Sequence, residues 1–373
     1  MMTMKLLFKL FVLCTILTFC FFAPPARAEL FGISSPYNNV FFGDFYGRNG
    51  DVEGHAAIKG NLDVSAYSFG AGEQNLHPDR QWVLVVGGNA VVSSTTVFDG
   101  DAYIGGTLKP PTGGSMWNTL GAAGTGPYHE NPLWSGYVGT AGTVYVAGTP
   151  DANLDPTYQK NTDWAIPFDF DLAESQLRNV SATLWGITDT IVSGYVGGYY
   201  TIDLTGQTGL QVVTIDASIF NALGNQNIYI NAGADTTLII NVTDNNNLGT
   251  LNLRKEFVIN GSFVPFYNED FDGSNILINT DISNVNVYGA AINASIMALN
   301  AHFDVQHGNI DGQAFGASAN TSGGGEFHAY YVFDDKHFKD NEPPTTVPEP
   351  ATCMILVCSL LGLGYANRRC RTS

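Results

Sequence analysis

The residues of this chain best suited to chemistry are carboxylates that lie within a few positions of one another. They are Asp44 with Asp51 and Glu53, and Glu269 with Asp270 and Asp272. Two carboxylates can hydrolyse a glycosidic bond when they lie about 5 to 9 Å apart. However, an acidic chain contains many such pairs by chance, and the sequence has no G-x-S-x-G, H-E-x-x-H, C-x-x-C or P-loop motif. We therefore predict that the protein is not an enzyme, with a polysaccharide-active enzyme as the minor alternative.

The segment "HFDVQH" carries residue types that bind metals. The alternation of a strand places His302 and Asp304 on one face. The same alternation places His307 on the other face with Phe303 and Val305, so the three ligands are not expected to converge. We predict a row of side chains on a strand rather than a metal site.

Two further segments carry residue types that suit metal binding or a structural role. Residues 268–275, "NEDFDGSN", resemble an oxygen-rich calcium loop but lack one ligand before the glycine and the distal glutamate. We predict a β-turn on Asp272-Gly273. No cofactor is predicted, and calcium is the one ion left open. His328 in "GGGEFHAYYVF" is assigned to the closing of the fold, because a glycine run precedes an aromatic strand.

A long, turn-rich segment at residues 107–166 contains many aromatic residues. Trp117, Tyr128, Trp134 and Tyr137 could stack on sugar rings and form a ligand platform. Aromatic side chains also supply large apolar area, and a loop of this length needs a small core of its own. We favour the structural role, with the platform as the alternative.

Charges and cysteines are unevenly distributed along the chain. All 34 Asp and Glu residues lie between Arg27 and Arg368, and the net charge is −18. Such an acidic body repels nucleic acid and anionic lipid, so we predict no nucleic-acid partner. All five cysteines lie in the terminal segments, so packing alone must hold the fold of the body.

The first 28 residues are typical of a secretory signal peptide. Lys5 and Lys9 precede a long apolar run, and Ala26 and Ala28 form an A-x-A cleavage site. We expect export by the Sec translocon and removal of this segment by signal peptidase. A retained N-terminal membrane anchor is the alternative.

The other end of the chain also predicts a hydrophobic helix. Residues 351–366 are apolar, just short of the roughly 17 to 25 residues that span a bilayer, and Arg368 and Arg369 follow them. Positive charges favour the cytoplasmic side, so we expect this segment to insert transiently as a membrane stop. The preceding residues 339–346 are polar and Pro-rich, which predicts an extended linker.

The order of these C-terminal features resembles the PEP-CTERM sorting signal, over residues 347–373. The residues that carry the resemblance are Val347, Pro348, Glu349 and Pro350, then the apolar helix, then Arg368 and Arg369. The resemblance implies a Gram-negative bacterium, processing by an exosortase, and a final location at the cell surface or in the extracellular matrix. A permanent tail anchor is the alternative.

Between these ends, the sequence favours short β-strands. It is rich in Gly, Asn, Thr and Val, and a pattern apolar-x-Gly-x-Ala begins at Val52, Val86, Phe98, Val287 and Ile310. The last two copies are 23 residues apart, which suits stacked coils whose alternate side chains fill one column. We therefore predict an all-β fold, a parallel β-solenoid (β-helix) over residues 29–338. A β-sandwich is the alternative.

One segment departs from the β pattern. In "FDFDLAESQLRNVSATLWGI", Leu172, Leu177 and Leu184 recur at helical spacing. Asp169 or Asp171 is suited to cap the start of this helix. We predict one inserted α-helix that packs along the flank of the solenoid, in addition to the terminal hydrophobic helices.

The body as a whole resembles the choice-of-anchor A domain over about residues 33–334. The segments that carry the resemblance are "YNNVFFGDFYGRNGDVEGHAAIKGNLDVSAYSFG", "WVLVVGGNAVV", "FDFDLAESQLRNVSATL" and "GNIDGQAFGASANTSGGGEFHAYYVF". The resemblance implies an adhesive or extracellular-matrix module and no enzyme, and it supplies no ligand residues. The order of β-coils, helix and further β-coils also resembles the discontinuous solenoids of bacterial ice-binding proteins, which is a likeness of fold.

These observations together predict an exported cell-surface or extracellular-matrix protein. Its expected role is that of an adhesin, or of a biofilm- or exopolysaccharide-associated module that binds a glycan or a matrix ligand. Ice binding is the main alternative and needs a flat, regular array of threonines or small residues. No Thr-x-Thr ladder recurs in the sequence.

Overall fold

The fold is known from a computed structural model. It describes the following residues: 30–70, 82–97, 100–109, 121–122, 144–149, 159–223, 226–232, 235–263 and 271–341. The predicted signal peptide, apolar C-terminal helix and sorting signal lie outside these ranges. None of the helices among the described residues combines the length and the apolar character needed to cross a bilayer.

The described residues consist mostly of short strands. The first half of the chain contains β1 Asn39–Phe41, β2 Phe45–Val52, β3 Ala56–Ile58, β4 Leu62–Phe69, β5 Trp82–Val86, β6 Ala90–Val97, β7 Asp101–Ile104, β8 Leu108–Lys109, β9 Gly121–Ala122, β10 Val144–Val146 and β11 Gln159–Asn161. The second half contains β12 Ser193–Val196, β13 Tyr199–Asp203, β14 Gly209–Asp216, β15 Ile228–Asn231, β16 Thr236–Thr243, β17 Thr250–Leu253, β18 Phe257–Ile259, β19 Ser262–Phe263, β20 Ile276–Thr280, β21 Asn284–Tyr288, β22 Ala291–Ile292, β23 Ser295–Gln306, β24 Asn309–Gly312, β25 Ala314–Ser322 and β26 Glu326–Tyr331. The helices are α1 Phe170–Gly186, α2 Ala217–Leu223 and α3 Lys336–Asn341, with short 3-10 helices at Gly32–Ser34 and Gly273–Asn275.

The chain divides into two compact units, Met1–Asp335 and Lys336–Ser373. Helix α3 belongs to the second unit and includes the first three residues of the predicted linker 339–346, which are therefore helical rather than extended. The first unit contains all the strands described above.

The predicted parallel β-solenoid is confirmed, because its strands stack in walls. The first wall consists of eleven parallel strands in the order β14–β16–β20–β23–β25–β1–β3–β5–β7–β10–β11. The second wall has the parallel order β17–β21–β23–β25–β2–β4–β6, and β8 and β9 both pair with β6. Strands β23 and β25 bend and contribute to both walls.

A third wall contains β22, β24 and β26 in parallel order. It continues through the ends of β2, β4 and β6 to β9. A separate five-stranded sheet contains β13, β15 and β18 in parallel order, with β12 and β19 as antiparallel edge strands.

The order of coils in the column differs from their order in the chain. Strand β1 lies between β25 and β3, with Asn39 opposite Ala314 on one side and opposite Ala56 on the other. The N-terminal coil is thus inserted beside the C-terminal coil. As a result, residues almost 280 positions apart are hydrogen-bonded neighbours.

The interior is a dry apolar column, as the alternation of strands predicts. Phe41 of the N-terminal coil contacts Phe303 and Phe327 of the C-terminal half, with ring centroids 5.7 Å apart in both cases. All three rings are fully buried. Burial of each such side chain stabilises the fold by about 1.5 to 3 kcal/mol, so the junction between the two halves is a major apolar contact.

The apolar-x-Gly-x-Ala pattern marks corners of the coil, and the predicted 23-residue register is wrong. Ile310 lies beside Ile292, which is 18 residues away, whereas Val287 lies beside Val305. The pattern recurs because a strand commonly ends near its apolar residue and the next strand begins near its alanine, for example β2 at Val52 and β3 four residues later. The distance between two copies of the motif is therefore a distance between corners and does not give the length of a full coil.

Glycines allow successive corners to stack closely. The amide of Gly88 donates to the carbonyl of Gly60 at 2.9 Å, and the amide of Gly106 donates to the carbonyl of Gly88 at 2.8 Å. A Cβ on Gly88 would lie 2.5 Å from the Gly60 oxygen, too close for any side chain. These corners therefore require glycine because of the close approach of the backbone.

Helix α1 packs on the outer side of the first wall, as predicted. Asp169 caps the helix by accepting a hydrogen bond from the amide of Leu172 at 3.0 Å. Ala173, Leu177 and Leu184 are buried, but Leu172 is 45% exposed, so its predicted place on the apolar stripe is wrong. Its side chain points away because the stripe is set by positions four and seven residues apart.

The length of α1 matches the strands that it crosses. Near its start Asp171 pairs with Lys59, which follows β3, and near its end the carbonyl of Leu184 accepts from Asn241 of β16. Five strand spacings separate β3 from β16, about 24 Å. Seventeen helical residues span about 25 Å.

The segment around Trp164, between β11 and α1, covers the next part of the first wall. The Trp164 ring stacks on Tyr145 at 4.8 Å, and its carbonyl accepts a hydrogen bond from the Tyr103 hydroxyl at 2.7 Å. Helix α1 and the segment around Trp164 together therefore cover the outer side of the first wall from β16 to β10. This packing explains why its central strands are buried on both faces.

Candidate binding face

The outer side of the second wall carries two rows of side chains, polar except for Val91 at one end, which we call the polar ladder. The corner row consists of Thr250, Asn284, His302, Ser318, Asp44, Asn61, Asn89 and Thr107. The central row consists of Asn252, Asn286, Asp304, Asn320, Tyr46, Asp63 and Val91. These side chains are half-buried or exposed. Neighbours within a row are about 4.8 Å apart, and the next outward position along a strand is about 6.8 Å away.

The corner row is fixed by hydrogen bonds between successive coils. The Asp44 Oδ1 atom accepts from the amide of Asn61 at 2.7 Å, and the Asn61 Oδ1 atom accepts from the amide of Asn89 at 3.0 Å. The side-chain amide of Asn61 also donates to the Asp44 Oδ1 atom at 3.1 Å, and that of Asn89 donates to the Asn61 Oδ1 atom at 3.2 Å. Their rotamers are therefore set before any ligand arrives.

The central row has the same character. Asn286 donates to the Asn252 Oδ1 atom at 3.1 Å, and Asn320 donates to the Asp304 Oδ1 atom at 2.9 Å. Fixed amides and carboxylates at a constant spacing can bind an extended ligand that presents hydroxyl groups or water in a regular array. Little side-chain entropy is lost when such a surface binds, because the side chains are already ordered.

An arginine and a tyrosine lie at the middle of this face. The Arg48 guanidinium lies 3.9 Å from the centroid of the Tyr46 ring and donates to the Asp63 carboxylate at 2.7 Å. Tyr46 is 43% exposed and Tyr288, on β21, is 56% exposed. The face therefore combines hydrogen-bonding rows with aromatic surface, a combination that suits polyhydroxylated ligands.

The structure places His302 and Asp304 on the same side of β23 and His307 beyond its end. His302 and Asp304 lie on the outer side of β23, as predicted, and the His302 Nδ1 atom is 2.8 Å from the Ser318 hydroxyl. His307 was predicted on the inner side, and that prediction is wrong. It follows the end of the strand, is exposed, and has a positive φ of 52°. Alternation does not continue through a corner, so the period-two argument fails there.

Of the proposed carboxylates, Asp51 and Glu53 lie together, and Asp44 lies apart from them. Asp44 lies in the polar ladder, whereas Asp51 and Glu53 lie at the third wall beside His328. Asp272 caps the 3-10 helix Gly273–Asn275 by accepting from the amide of Ser274, and the Asn275 amide donates to the Asp272 carbonyl at 3.1 Å, so the predicted turn on Asp272-Gly273 is the first turn of a short 3-10 helix. Its side chain binds the local backbone, an interaction that equally suits a short helix.

Several predicted site residues lie outside the described ranges. These are Glu269, Asp270, Trp117, Tyr128, Trp134, Tyr137, Ala26, Ala28, Val347, Pro348, Glu349, Pro350, Arg368 and Arg369. The platform, cleavage and sorting assignments therefore stay predictions.

The polar ladder was not predicted from the sequence. A signal for it was present, because Gly-Asp or Gly-Asn precedes an apolar residue at 43–44, 60–61 and 88–89. The repeated dipeptide places an asparagine or aspartate at the same corner of successive coils. The residues around His328 predict a role in closing the fold, but no local pattern indicates its carboxylate neighbours.

A family model matches residues 30–329 of this chain, and its description is "Putative Ice-binding-like adhesive domain". None of the curated proteins matches the sequence.

Solved structures with some similarity include three ice-binding proteins. One, from an Antarctic Biological Consortium, is 12% identical, with 80% of this chain and 88% of that chain covered and a TM-score of 0.33. The DUF3494 domain of ice-binding protein 1 from Shewanella frigidimarina is 13% identical, with 83% and 98% covered and a TM-score of 0.32. One from the Antarctic ascomycete Antarctomyces psychrotrophicus is 10% identical, with 82% and 98% covered and a TM-score of 0.28. At these values the similarities carry no argument about a ligand.

Proposed function

Because this chain belongs to the family described as "Putative Ice-binding-like adhesive domain", we propose that it is an adhesive protein that binds an extended, polyhydroxylated ligand on its polar ladder. The observation that carries the proposal is the regular hydrogen-bonded array of asparagine and aspartate side chains on the second wall. The first wall is covered by α1 and by the Trp164 segment. The second wall is therefore the large regular surface best placed to meet a ligand.

A glycan or exopolysaccharide is the ligand class that fits this array best. Sugar hydroxyl groups both donate and accept hydrogen bonds, and the ladder offers amide donors together with amide and carboxylate acceptors. Exposed tyrosine rings add stacking surface. The acidic net charge of −18 favours neutral or cationic polymers over anionic ones.

Ice binding is the second candidate. It is supported by the family description and by the constant spacing of the rows, which could order water. The composition of the rows weighs against it, because they carry Asp, His and Tyr side chains and have threonine only at the two ends of the corner row. Charged and bulky groups disturb a flat array of small residues.

One pair of variants tests both candidates. Asn320→Arg places a long cation in the middle of the central row, whereas Asn231→Arg places the same side chain on the exposed end of β15 in the other sheet. We expect Asn320→Arg to lower retention on a glycan array at least tenfold and Asn231→Arg to leave retention unchanged. Thermal hysteresis of both proteins is measured in parallel.

The outcomes separate the two functions. Loss of glycan retention in Asn320→Arg alone supports the adhesive function. Thermal hysteresis that disappears in Asn320→Arg alone supports ice binding. Equal behaviour of the two variants in both assays contradicts the polar ladder as the binding face.

We further infer that the protein is a choice-of-anchor A-type module that is exported and sorted at the cell surface of a Gram-negative bacterium. The support is the A-x-A site at Ala26 and Ala28 and the Pro-Glu-Pro, apolar, Arg-Arg order at the C-terminus. The expected partners are the Sec translocon, signal peptidase and an exosortase. Mass spectrometry of the surface-released protein should show a chain that lacks both terminal segments, and an intact C-terminal peptide would contradict exosortase processing.

A further inference from the structure

A second polar cluster lies where the two ends of the folded chain meet. Strand β26 pairs with β24 on one side, Asn309 opposite Glu326, and with the end of β2 on the other, Val52 opposite Phe327. Phe327 and Val52 point into the column, so the residues before and after them point outward. Asp51 of β2 and Glu53, which directly follows this strand, are thus brought beside Glu326 and His328, about 275 positions later in the chain.

Three of these side chains offer ligand atoms to a common point. One atom each from Asp51, Glu53 and His328 lies within 4.8 Å of the other two. Protein ligands bind divalent cations at about 2.0 to 2.4 Å, so two ligands of one cation lie no more than about 4.8 Å apart. The three groups therefore already satisfy the distance requirement for a shared ion.

The cluster contains polar atoms that the protein itself does not satisfy. The Asp51 Oδ1 atom is buried and accepts no hydrogen bond from the described part of the chain. Glu53 is only 5% exposed, and its two contacts, from the amide of Ala329 and the hydroxyl of Tyr330, are both 3.4 Å long. Buried carboxylate oxygens normally have short, strong partners, so these atoms are arranged for a group other than the chain.

The charges of the cluster do not balance. Asp311 and Glu326 add two more carboxylates around the single imidazole, with contacts of 2.9 Å to His328 Nδ1 and 3.0 Å to His328 Nε2. A bound cation would offset this excess of carboxylate groups.

We propose that Asp51, Glu53 and His328 bind a divalent transition-metal cation that fastens the N-terminal strand β2 to the C-terminal strand β26. One imidazole nitrogen and two carboxylates form a donor set that suits Zn²⁺ or Mn²⁺ better than Ca²⁺, which takes oxygen ligands. One ring nitrogen of His328 binds the cation, and the other keeps its carboxylate partner, as histidine ligands of metals usually do. The proton displaced from the binding nitrogen goes to solvent.

The experiment uses the full chain after removal of metals with EDTA. Titration calorimetry with Zn²⁺, Mn²⁺ and Ca²⁺ measures affinity and stoichiometry, and thermal unfolding is recorded with and without each ion. We expect one site for Zn²⁺ or Mn²⁺. At a free concentration one hundred times its Kd, that ion should raise the Tm by about 4 °C.

Substitutions then locate the site. Asp51→Asn and His328→Gln should each lower the affinity for the cation at least tenfold. The matched controls are His307→Asn, an exposed histidine whose positive φ asparagine tolerates, and Glu256→Gln, a carboxylate outside the cluster. Both controls should bind the cation like the unmodified protein.

The Tm values without a cation distinguish a metal ligand from a residue that only stabilises the fold. Without a cation, Asp51→Asn removes a repelled, unpartnered carboxylate, so its Tm should equal or exceed that of the unmodified protein. With the cation, the order should reverse, because only the unmodified protein gains stability. If His328→Gln fails to fold, the visible spectrum of the Co²⁺-loaded unmodified protein tests nitrogen ligation directly.

Three results would overturn the proposal. They are the absence of any saturable binding of Zn²⁺ or Mn²⁺, binding that Asp51→Asn leaves unchanged, and a lower Tm of Asp51→Asn in EDTA that the cation does not affect.

Discussion

The covered state of the first wall depends on a buried amide pair under α1. Asn279 is fully buried, accepts a hydrogen bond from the Ser181 hydroxyl at 2.8 Å and donates to the Asn241 Oδ1 atom at 2.8 Å. Asn241 in turn donates to the carbonyl of Leu184, near the end of the helix. The replacement Asn279→Ala removes the central link of this chain of hydrogen bonds.

The expected loss follows from the groups that this replacement leaves without a partner. A buried polar group that loses its hydrogen bond costs about 1 to 3 kcal/mol, and the cost is lower for the half-exposed Ser181 than for the buried Asn241. The sum is about 2 to 4 kcal/mol. For a unit of about 300 residues, 1 kcal/mol shifts the Tm by about 1.5 °C, so Asn279→Ala should lower the Tm by about 3 to 6 °C.

Asn286→Ala is the matched control. Asn286 is half-buried on the open second wall and loses one 3.1 Å hydrogen bond to Asn252, so its Tm should fall by less than about 1 °C. Calorimetry measures both values, and hydrogen exchange at residues 170–186 reports whether α1 loosens only in Asn279→Ala. In the double variant Asn241→Ala/Asn279→Ala, the fall in Tm should be smaller than the sum of the falls in the two single variants, because the two side chains are hydrogen-bonded to each other. Equal falls in Tm in Asn279→Ala and Asn286→Ala would refute the anchoring role of the buried amide pair.

Three other substitutions test individual steps of the argument. Gly88→Ala should be among the most destabilising surface changes, with a Tm at least 5 °C lower, because its Cβ would lie 2.5 Å from a carbonyl oxygen of the preceding corner; an unchanged Tm would show that the corners are not tightly stacked. Asp169→Ala removes the cap of α1 and should cost about 1 kcal/mol in a denaturant titration, with Asp169→Asn retaining most of the stability. The hydroxyl and the amide of Ser218 hold the pKa of Asp216 below its ordinary value of 3.8, so its contribution is present above pH 3.8 and is lost as the pH falls through the lowered pKa. Asp216→Asn should therefore flatten the acid limb of the stability curve, and an unaltered acid limb would contradict that linkage.

The fold class could be predicted because short-range patterns in the sequence determine which residues form strands and which form the helix. Period-two alternation specifies strands with one face inside, and the helical spacing of Leu177 and Leu184 specifies α1. The register between coils could not be predicted, because the apolar-x-Gly-x-Ala pattern occurs at different corners of one coil. Ile310 pairs with Ile292 through hydrogen bonds that any apolar strand could form.

The two polar sites differ in how far the sequence could reveal them. The ladder has a repeated local signal, Gly followed by Asp or Asn, at successive corners. The cluster around His328 has none. Its carboxylates Asp51 and Glu53 are brought to it by the insertion of β1 and β2 beside the last coils, a pairing that depends on the register of strands from opposite ends of the chain.

The same insertion makes the polar ladder continuous. Ser318 of the C-terminal half and Asp44 of the N-terminal half are neighbours in the corner row, because Phe45 lies opposite Ala319. Both rows therefore combine residues from the two ends of the chain, and the junction is held by Phe41, Phe303 and Phe327 in the column. A ligand that spans the junction would bind only the closed fold, so ligand binding and the pairing of β2 with β25 and β26 must stabilise each other. A cation at the His328 cluster would act on that same closure from the third wall, although it lies on a different face from the ladder.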